Sequence, residues 1–398
     1  MKVLVRVVAT CTLIWAMSTA AIAQVESLNL WNAGIGGYDT YRVPGIVTTK
    51  KGVLLAYCGA RLHLEKGDWS ETNILLRRSL DGGKTWEPSR QIAGTGAELT
   101  DNIIAIADRQ TGAVNFLYQT NYSRVFVIQT TDDGKTFSRP TDITPVFDMF
   151  RPDYEWNVVA PGTGHGIQLK SGRLIASIWL ANGKVNPNGT RAHAPSAVGI
   201  VYSDDHGKTW SRGPIVSRNS PEITNPGETR AVQLAGGKVM LNIRSGSAQH
   251  LRATTTSADG VNNWSPLQFD QTLFDPICDA GIIGVPASTG FPAMLIFSNP
   301  DSRDIAGTYK GLHRARQNMT IKVSTDDGAT WTHQRMLDPG AAGYSDLTSL
   351  GDSVFVIYES GTLGGNEGKP AHLILAKFSK RWLLEGNAPE RWNPPSSQ

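Results

Sequence analysis

One short pattern recurs along the chain and limits what it can fold into. SLDGGKTW begins at Ser79, TTDDGKTF at Thr130, SDDHGKTW at Ser203 and STDDGATW at Ser324. A degenerate copy, SADGVNNW, begins at Ser257. The pattern is Ser/Thr-x-Asp-x-Gly-x-Thr-aromatic. Its aspartates are Asp81, Asp132, Asp205, Asp259 and Asp326, spaced by roughly 61 residues on average. Repetition at that period implies radial or solenoid architecture.

Each copy follows a run that reads as a strand, such as NILLRRS, RVFVIQT, AVGIVYS and MTIKVS. Asp-x-Gly then marks a tight turn. The carboxylate accepts nearby backbone N–H groups, and glycine supplies positive φ. The threonine hydroxyl can lock the turn while the aromatic packs into the sheet beneath. A catalytic acid would be needed once, so five copies read as structural turns. This makes Asp205 a turn-former, although SDDHGKTW looks like an active site when read alone. Further strand pairs are GIQLKSGRLIASIW and AVQLAGGKVMLNIR. No helical period of useful length accompanies them. The pattern predicts an all-β chain in which residues 24–398 form a single six-bladed β-propeller.

Residues 1–23 read as a secretory signal peptide. Lys2 and Arg6 form a basic start, an apolar run follows, and Ala21-Ile22-Ala23 supplies small residues for cleavage before Gln24. The run is short for a membrane span and no later run replaces it, so no membrane span is expected. Export to the periplasm or the extracellular space follows. The formal net charge is +3, and Lys2 and Arg6 contribute two of those charges, leaving +1. That balance gives no electrostatic case for nucleic acid. After Cys11, only Cys58 and Cys278 remain. They read as buried thiols, with pairing left open. The Pro/Ser tail NPPSSQ is expected to fray.

Function should lie in charges that occur once. Arg42 stands in YRVPGI. Asp68 stands in EKGDWSETN, on a Gly-flanked loop with Glu65 and Glu71 as rivals. Glu228 and Arg244 fall in NPGETRAVQLAGGKVMLNIRSGS, Arg316 in HRARQNMTIKVS, and Tyr344, Tyr358 and Glu359 in GYSDLTSLGDSVFVIYESG. A carboxylate at Glu359, on an apolar strand, should be paired. Three arginines from separate blades would form forks suited to a carboxylate ligand.

In this order the motifs resemble the exo-α-sialidases (neuraminidases) of bacterial and animal type, glycoside hydrolase family 33. YRVP stands near the family's Arg-Ile-Pro element, with Val43 for Ile, and SNP lies at 298–300. Met319 replaces the usual Leu after the third arginine. The resemblance implies that Arg42, Arg244 and Arg316 hold the carboxylate of sialic acid. It implies a Tyr344 nucleophile activated by Glu228, Asp68 as acid and base, and Glu359 orienting Arg42. Asp101 would contact the sugar near O4 and the N-acetyl group, although TDNI departs from the family's Asp-Pro. A tyrosine nucleophile suits this chemistry, because an anionic one would be repelled by the substrate's own carboxylate. Its ordinary pKa near 10 then demands a base.

The implied partners are sialylated glycans on glycoproteins, glycolipids or oligosaccharides. No cofactor or metal is implied, and a monomer is expected. Transfer of sialic acid to another sugar, or binding without cleavage, are the alternatives. His165, between glycines, reads as a pocket-rim or turn residue. His193 and His206 form no metal spacing. The long polar insert at 180–196 is expected to overhang the pocket and affect the choice of leaving group.

Overall fold

A computed structural model describes residues 25–303, 315–366 and 368–387. The signal peptide and the NPPSSQ tail lie outside the described residues. The described chain is almost entirely β, with two five-residue helices, Thr144–Asp148 and Lys380–Leu384. A 3₁₀ segment, Leu64–Trp69, carries the candidate acid. No helix among the described residues is long and apolar enough to cross a membrane.

The strands form antiparallel meanders arranged around an axis. Thr40–Thr48, Leu54–Arg61, Thr72–Ser79 and Arg90–Ala93 make the first. The innermost strand of each sheet packs against that of the next. Contacts run from Thr40–Thr48 through Thr100–Ala107, Ile167–Gln168, Thr229–Gln233 and Gly281–Val285 to His333–Leu350, which returns to Thr40–Thr48. The arrangement is propeller-like. Neighbouring sheets cover one another's faces, so Leu54–Arg61 is buried along its whole length. The core lies between sheets. Val47, Leu55 and Ile74 of the first pack against Ile103, Phe116 and Ile128 of the second.

Six separate blades were expected, whereas the described strands form five hydrogen-bonded sheets. The cause is one strand, His333–Leu350, of 18 residues. Its first half pairs with Gln317–Ser324 and its second with Ser353–Ser360. Two meanders thereby fuse into a seven-stranded sheet. The same sheet closes the ring, because Glu26–Asn32 pairs antiparallel with His372–Ser379.

The repeated turns behave as the pattern predicts. Asp205 accepts the Thr209 amide at 2.9 Å and the Thr209 hydroxyl at 2.6 Å, while the Ser203 hydroxyl donates to it at 2.8 Å. Asp81, Asp132 and Asp326 repeat this set with Thr85, Thr136 and Thr330. Two successive residues take positive φ, His206 (66°) and Gly207 (84°). In the degenerate copy Gly260 (73°) occupies the first of these positions, which explains its early glycine. Register places the turns at one end of the sheets. Leu54 pairs with Ser79, just before the first turn, whereas Arg42 pairs with Gly59 towards the other end.

Candidate active site

The end opposite the repeated turns gathers the residues that occur once. Tyr344 sits at its centre, 9% exposed. Its hydroxyl donates to Glu228 Oε1 at 2.5 Å and accepts Arg244 Nη1 at 2.7 Å. The same Nη1 donates to Glu228 Oε2 at 2.6 Å. The guanidinium carbons of Arg42, Arg316 and Arg244 lie 5.3, 5.6 and 5.9 Å from the centre of the Tyr344 ring. Three cations separated by up to 274 positions in sequence therefore surround one phenol.

Each arginine is held by its own acceptor. Arg42 Nε and Nη2 donate to the two oxygens of Glu359 at 2.7 and 3.3 Å, and Nη1 to the Gly368 carbonyl at 2.7 Å. Glu359 also accepts the backbone amides of Val43 and Tyr344, each at 3.1 Å. One buried carboxylate thus ties the first arginine to the tyrosine strand. Gly343 permits this, because a Cβ there would overlap the Glu359 carboxylate. Arg316 Nη2 donates to the Ile277 carbonyl at 2.5 Å.

Breaks in the inner strands aim these groups. Register shifts fall between Arg42 and Gly45, Asp101 and Ile104, Gln317 and Met319, and Ala342 and Ser345. Bulges of this kind re-aim side chains. Val43, Asn102 and Asn318 take positive φ of 54°, 54° and 62° beside them. For a β-branched residue such as Val43 this is strained backbone, costing about 1–3 kcal/mol and held by the surrounding structure.

Asp68 lies on the 3₁₀ segment with its side chain 54% exposed. Its Oδ1 accepts Arg61 Nη2 at 2.9 Å. Asp101 is 1% exposed, with Oδ2 3.7 Å from the same Arg61 nitrogen. Asp101 Oδ1 is buried without a protein hydrogen bond and lies over Gly59, where a Cβ would overlap it. Arg61 was missed in the sequence, where it reads only as the end of GVLLAYCGAR. A charge closing an otherwise apolar strand was the available signal.

The charges settle each group's proton. Enclosure opposes ionisation of Glu228, but Arg244 and the Tyr344 hydroxyl outweigh it and hold the carboxyl below its ordinary value. Burial pushes Tyr344 well above the ordinary tyrosine range despite Arg244, with Glu228 adding to the rise. The pair is a neutral phenol donating to an ionised carboxylate. For Asp68, the surrounding protein disfavours charge, but Arg61 and Arg42 prevail and lower its pKa. Burial raises Asp101 against the pull of Arg61.

Other expectations resolve differently. His165 is not a turn residue but falls in the strand Gly164–His165, and it lines a cavity with Ile46, Leu169 and Leu347. It is 8% exposed, and its Nδ1 lies 2.6 Å from Asp346 Oδ1. Its partner falls 181 positions away, so the sequence could not show it. Cys58 and Cys278 are both free and buried. Cys278 packs with Val43 and Tyr344. No group of three or more His, Cys, Asp or Glu side chains suited to a metal occurs among the described residues.

Repeated turns on an all-β ring, together with a centre unrelated to those repeats, define a class. The chain belongs to the BNR repeat-like domain family, which matches residues 111–357. Within that class it is similar to sialidases. It is 32% identical to a sialidase of Micromonospora viridifaciens over 88% of this chain and 53% of the relative. It is 30% identical to a sialidase of Bacteroides fragilis (strain YCH46) over 83% of this chain and 61% of the relative. The chain therefore spans little more than half the length of these two relatives. A solved structure, the Hadza microbial sialidase Hz136, superposes with a TM-score of 0.72 at 25% identity, covering 90% of this chain and 69% of that one.

Proposed function

We propose that the chain is an exported exo-α-sialidase, which removes terminal α-linked sialic acid from glycoconjugates with retention. The observation that carries this reading is the Tyr344–Glu228 hydrogen bond of 2.5 Å inside a cluster of three arginines. The sialidase relatives support it. The signal-like residues 1–23 motivate export. For the fold, we count the seven-stranded sheet as two blades, because its longest strand serves a different meander with each half. That gives six blades.

In this mechanism Arg42, Arg244 and Arg316 bind the substrate carboxylate with charge-assisted bonds. The incoming anion offsets part of the arginine field that keeps Asp68 ionised. Asp68 then takes up a proton and delivers it to the departing glycosidic oxygen. Tyr344 Oη attacks the anomeric carbon while its proton passes to Glu228 Oε1. The bond to the leaving group breaks as the aryl ether to Tyr344 forms. In the second half, Asp68 removes a proton from water, which attacks the same carbon. The bond from that carbon to Tyr344 Oη breaks as Glu228 returns its proton to the released oxygen. Two displacements on one carbon give retention. Glu359 fixes Arg42, and Arg61 with Asp101 lies beside Asp68 to receive the polar groups of the sugar.

The test compares wild type with Asp68→Ala on a natural sialoside and on a fluorogenic aryl α-sialoside. A natural leaving group needs protonation, so loss there should be about 10²- to 10⁴-fold, with a smaller loss on the aryl substrate. Wild type that binds sialic acid without turning over either substrate would favour a binding protein. Net transfer to an added sugar acceptor over water would favour a trans-sialidase.

A further inference from the structure

The insert at 180–196 is an ordered hairpin. Ala192 N donates to the Lys184 carbonyl at 2.9 Å, Asn186 N to the Thr190 carbonyl at 2.8 Å, and Asn182 N to the Pro195 carbonyl at 3.0 Å. Its base is tied down where Asn157 Nδ2 donates to the Gly183 carbonyl at 2.8 Å. Arg191 Nη2 donates to the Asn121 carbonyl at 2.5 Å. The hairpin therefore presents a fixed set of side chains.

Two of them reach the segment that carries Asp68. The Arg191 guanidinium carbon lies 5.0 Å from the centre of the Trp69 ring. The His193 ring lies 6.0 Å from Trp69, 4.7 Å from Tyr122 and 5.3 Å from Trp179. Trp69 also meets Tyr122 edge-on at 5.0 Å. Trp69 immediately follows Asp68, so whatever fixes this indole fixes the acid.

The acid segment needs such support. None of its residues, Leu64–Trp69, is buried. Gly67 interrupts it with φ 57° and ψ −128°. We propose that His193 is a positioning residue for Asp68, holding Trp69 with Arg191 so that the carboxyl stays in line with the glycosidic oxygen. This rests on the sialidase reading of the site. His193 acts through ring shape, because its Nε2 is buried without a protein hydrogen bond. Burial also lowers its pKa against the influence of Asp68 and Glu228, which keeps the ring neutral near pH 7.

The experiment compares wild type, His193→Ala, His193→Phe and Arg191→Ala on the natural and aryl sialosides, with melting temperature measured in parallel. Misplacing the acid should cost His193→Ala about 10-fold or more in kcat/KM on the natural substrate. On the aryl substrate the loss in kcat/KM should stay within about 3-fold, because this parameter ends at formation of the tyrosyl intermediate, before Asp68 acts as base, and that leaving group needs little protonation. KM should hold on both, because the arginine cluster is untouched. His193→Phe should recover most of the loss by restoring the ring, and Arg191→Ala should show the same split in weaker form. Equal loss on both substrates, no loss on either, or a Phe variant as poor as Ala would overturn the proposal. If His193→Ala does not fold, the Phe and Arg191 variants decide by the same split. Inactive wild type on both substrates would overturn the sialidase reading and this proposal with it. Active wild type with no split would overturn this proposal alone.

Discussion

The two ends of the ring are built by opposite rules. At one end the same turn is made several times from neighbours in sequence, such as Ser203, Asp205 and Thr209. Among the positions that vary, the one before the glycine reaches the preceding sheet in three copies. Asp133 accepts the Thr49 hydroxyl at 2.8 Å, His206 pairs with Asp108 at 2.7 Å, and Asp327 accepts the Ala235 amide at 2.7 Å. At the other end nothing repeats. Arg42 meets Glu359 across 317 positions, and Tyr344 meets Glu228 across 116. Repetition makes the scaffold, and the departures from it make the site.

This contrast can be broken by mutation. Tyr344→Phe removes one hydroxyl and should leave the fold intact while lowering kcat/KM by at least about 10³-fold on either sialoside. A variant that keeps wild-type turnover would move the nucleophile elsewhere. Glu359→Ala sits between the two rules, because it leaves Arg42 buried without its partner. Breaking a buried pair of this kind should cost about 3–5 kcal/mol in denaturant unfolding. A loss below about 1 kcal/mol would show that the pair does not help close the ring.

Smaller effects are expected at the repeated turns. Asp205→Ala should lose about 1–2 kcal/mol of stability, since it gives up the bonds to Thr209 and Ser203. Its kcat should match wild type. Lost activity in a folded Asp205 variant would blur the division between the two ends. The least of the effects concerns pH. The Thr85 hydroxyl and amide lower Asp81 to about 2, and in Asp205 the Thr209 bonds outweigh burial to give about 2 as well. A folded-state pKa below the unfolded value, about 4, stabilises the native state above that value. The contribution fades as pH falls from about 4 towards 2. Replacing these aspartates with asparagine should flatten the decline in melting temperature over that range.

What was legible in the sequence follows the same division. The repeated turns depend on contacts two to four residues apart, so Asp81, Asp132, Asp205 and Asp326 can be read directly. The site residues were found through the order of their motifs, and the structure brings Arg42, Arg244, Arg316, Tyr344 and Glu228 together. Arg61 escaped because its partners Asp68 and Asp101 are 7 and 40 positions away, and its one local mark, a charge closing an apolar strand, names no partner. Positive φ at Val43 and Asn318 was equally hidden, since neither carries glycine's signature. The fused sheet escaped because Asp338-Pro339-Gly340 reads as a turn between two separate strands, whereas His333–Leu350 runs through it and only changes its pairing partner. Asp68 near His193 across 125 positions belongs to the same hidden class.

The most direct test of the central claim is to trap the first displacement. A 2,3-difluorosialic acid should form the covalent intermediate and release it slowly. Digestion and mass spectrometry should then find the sugar on the peptide containing Tyr344, and none in Tyr344→Phe. An adduct on Glu228, Asp68 or an aspartate of the repeated turns, or unchanged labelling in Tyr344→Phe, would contradict the account.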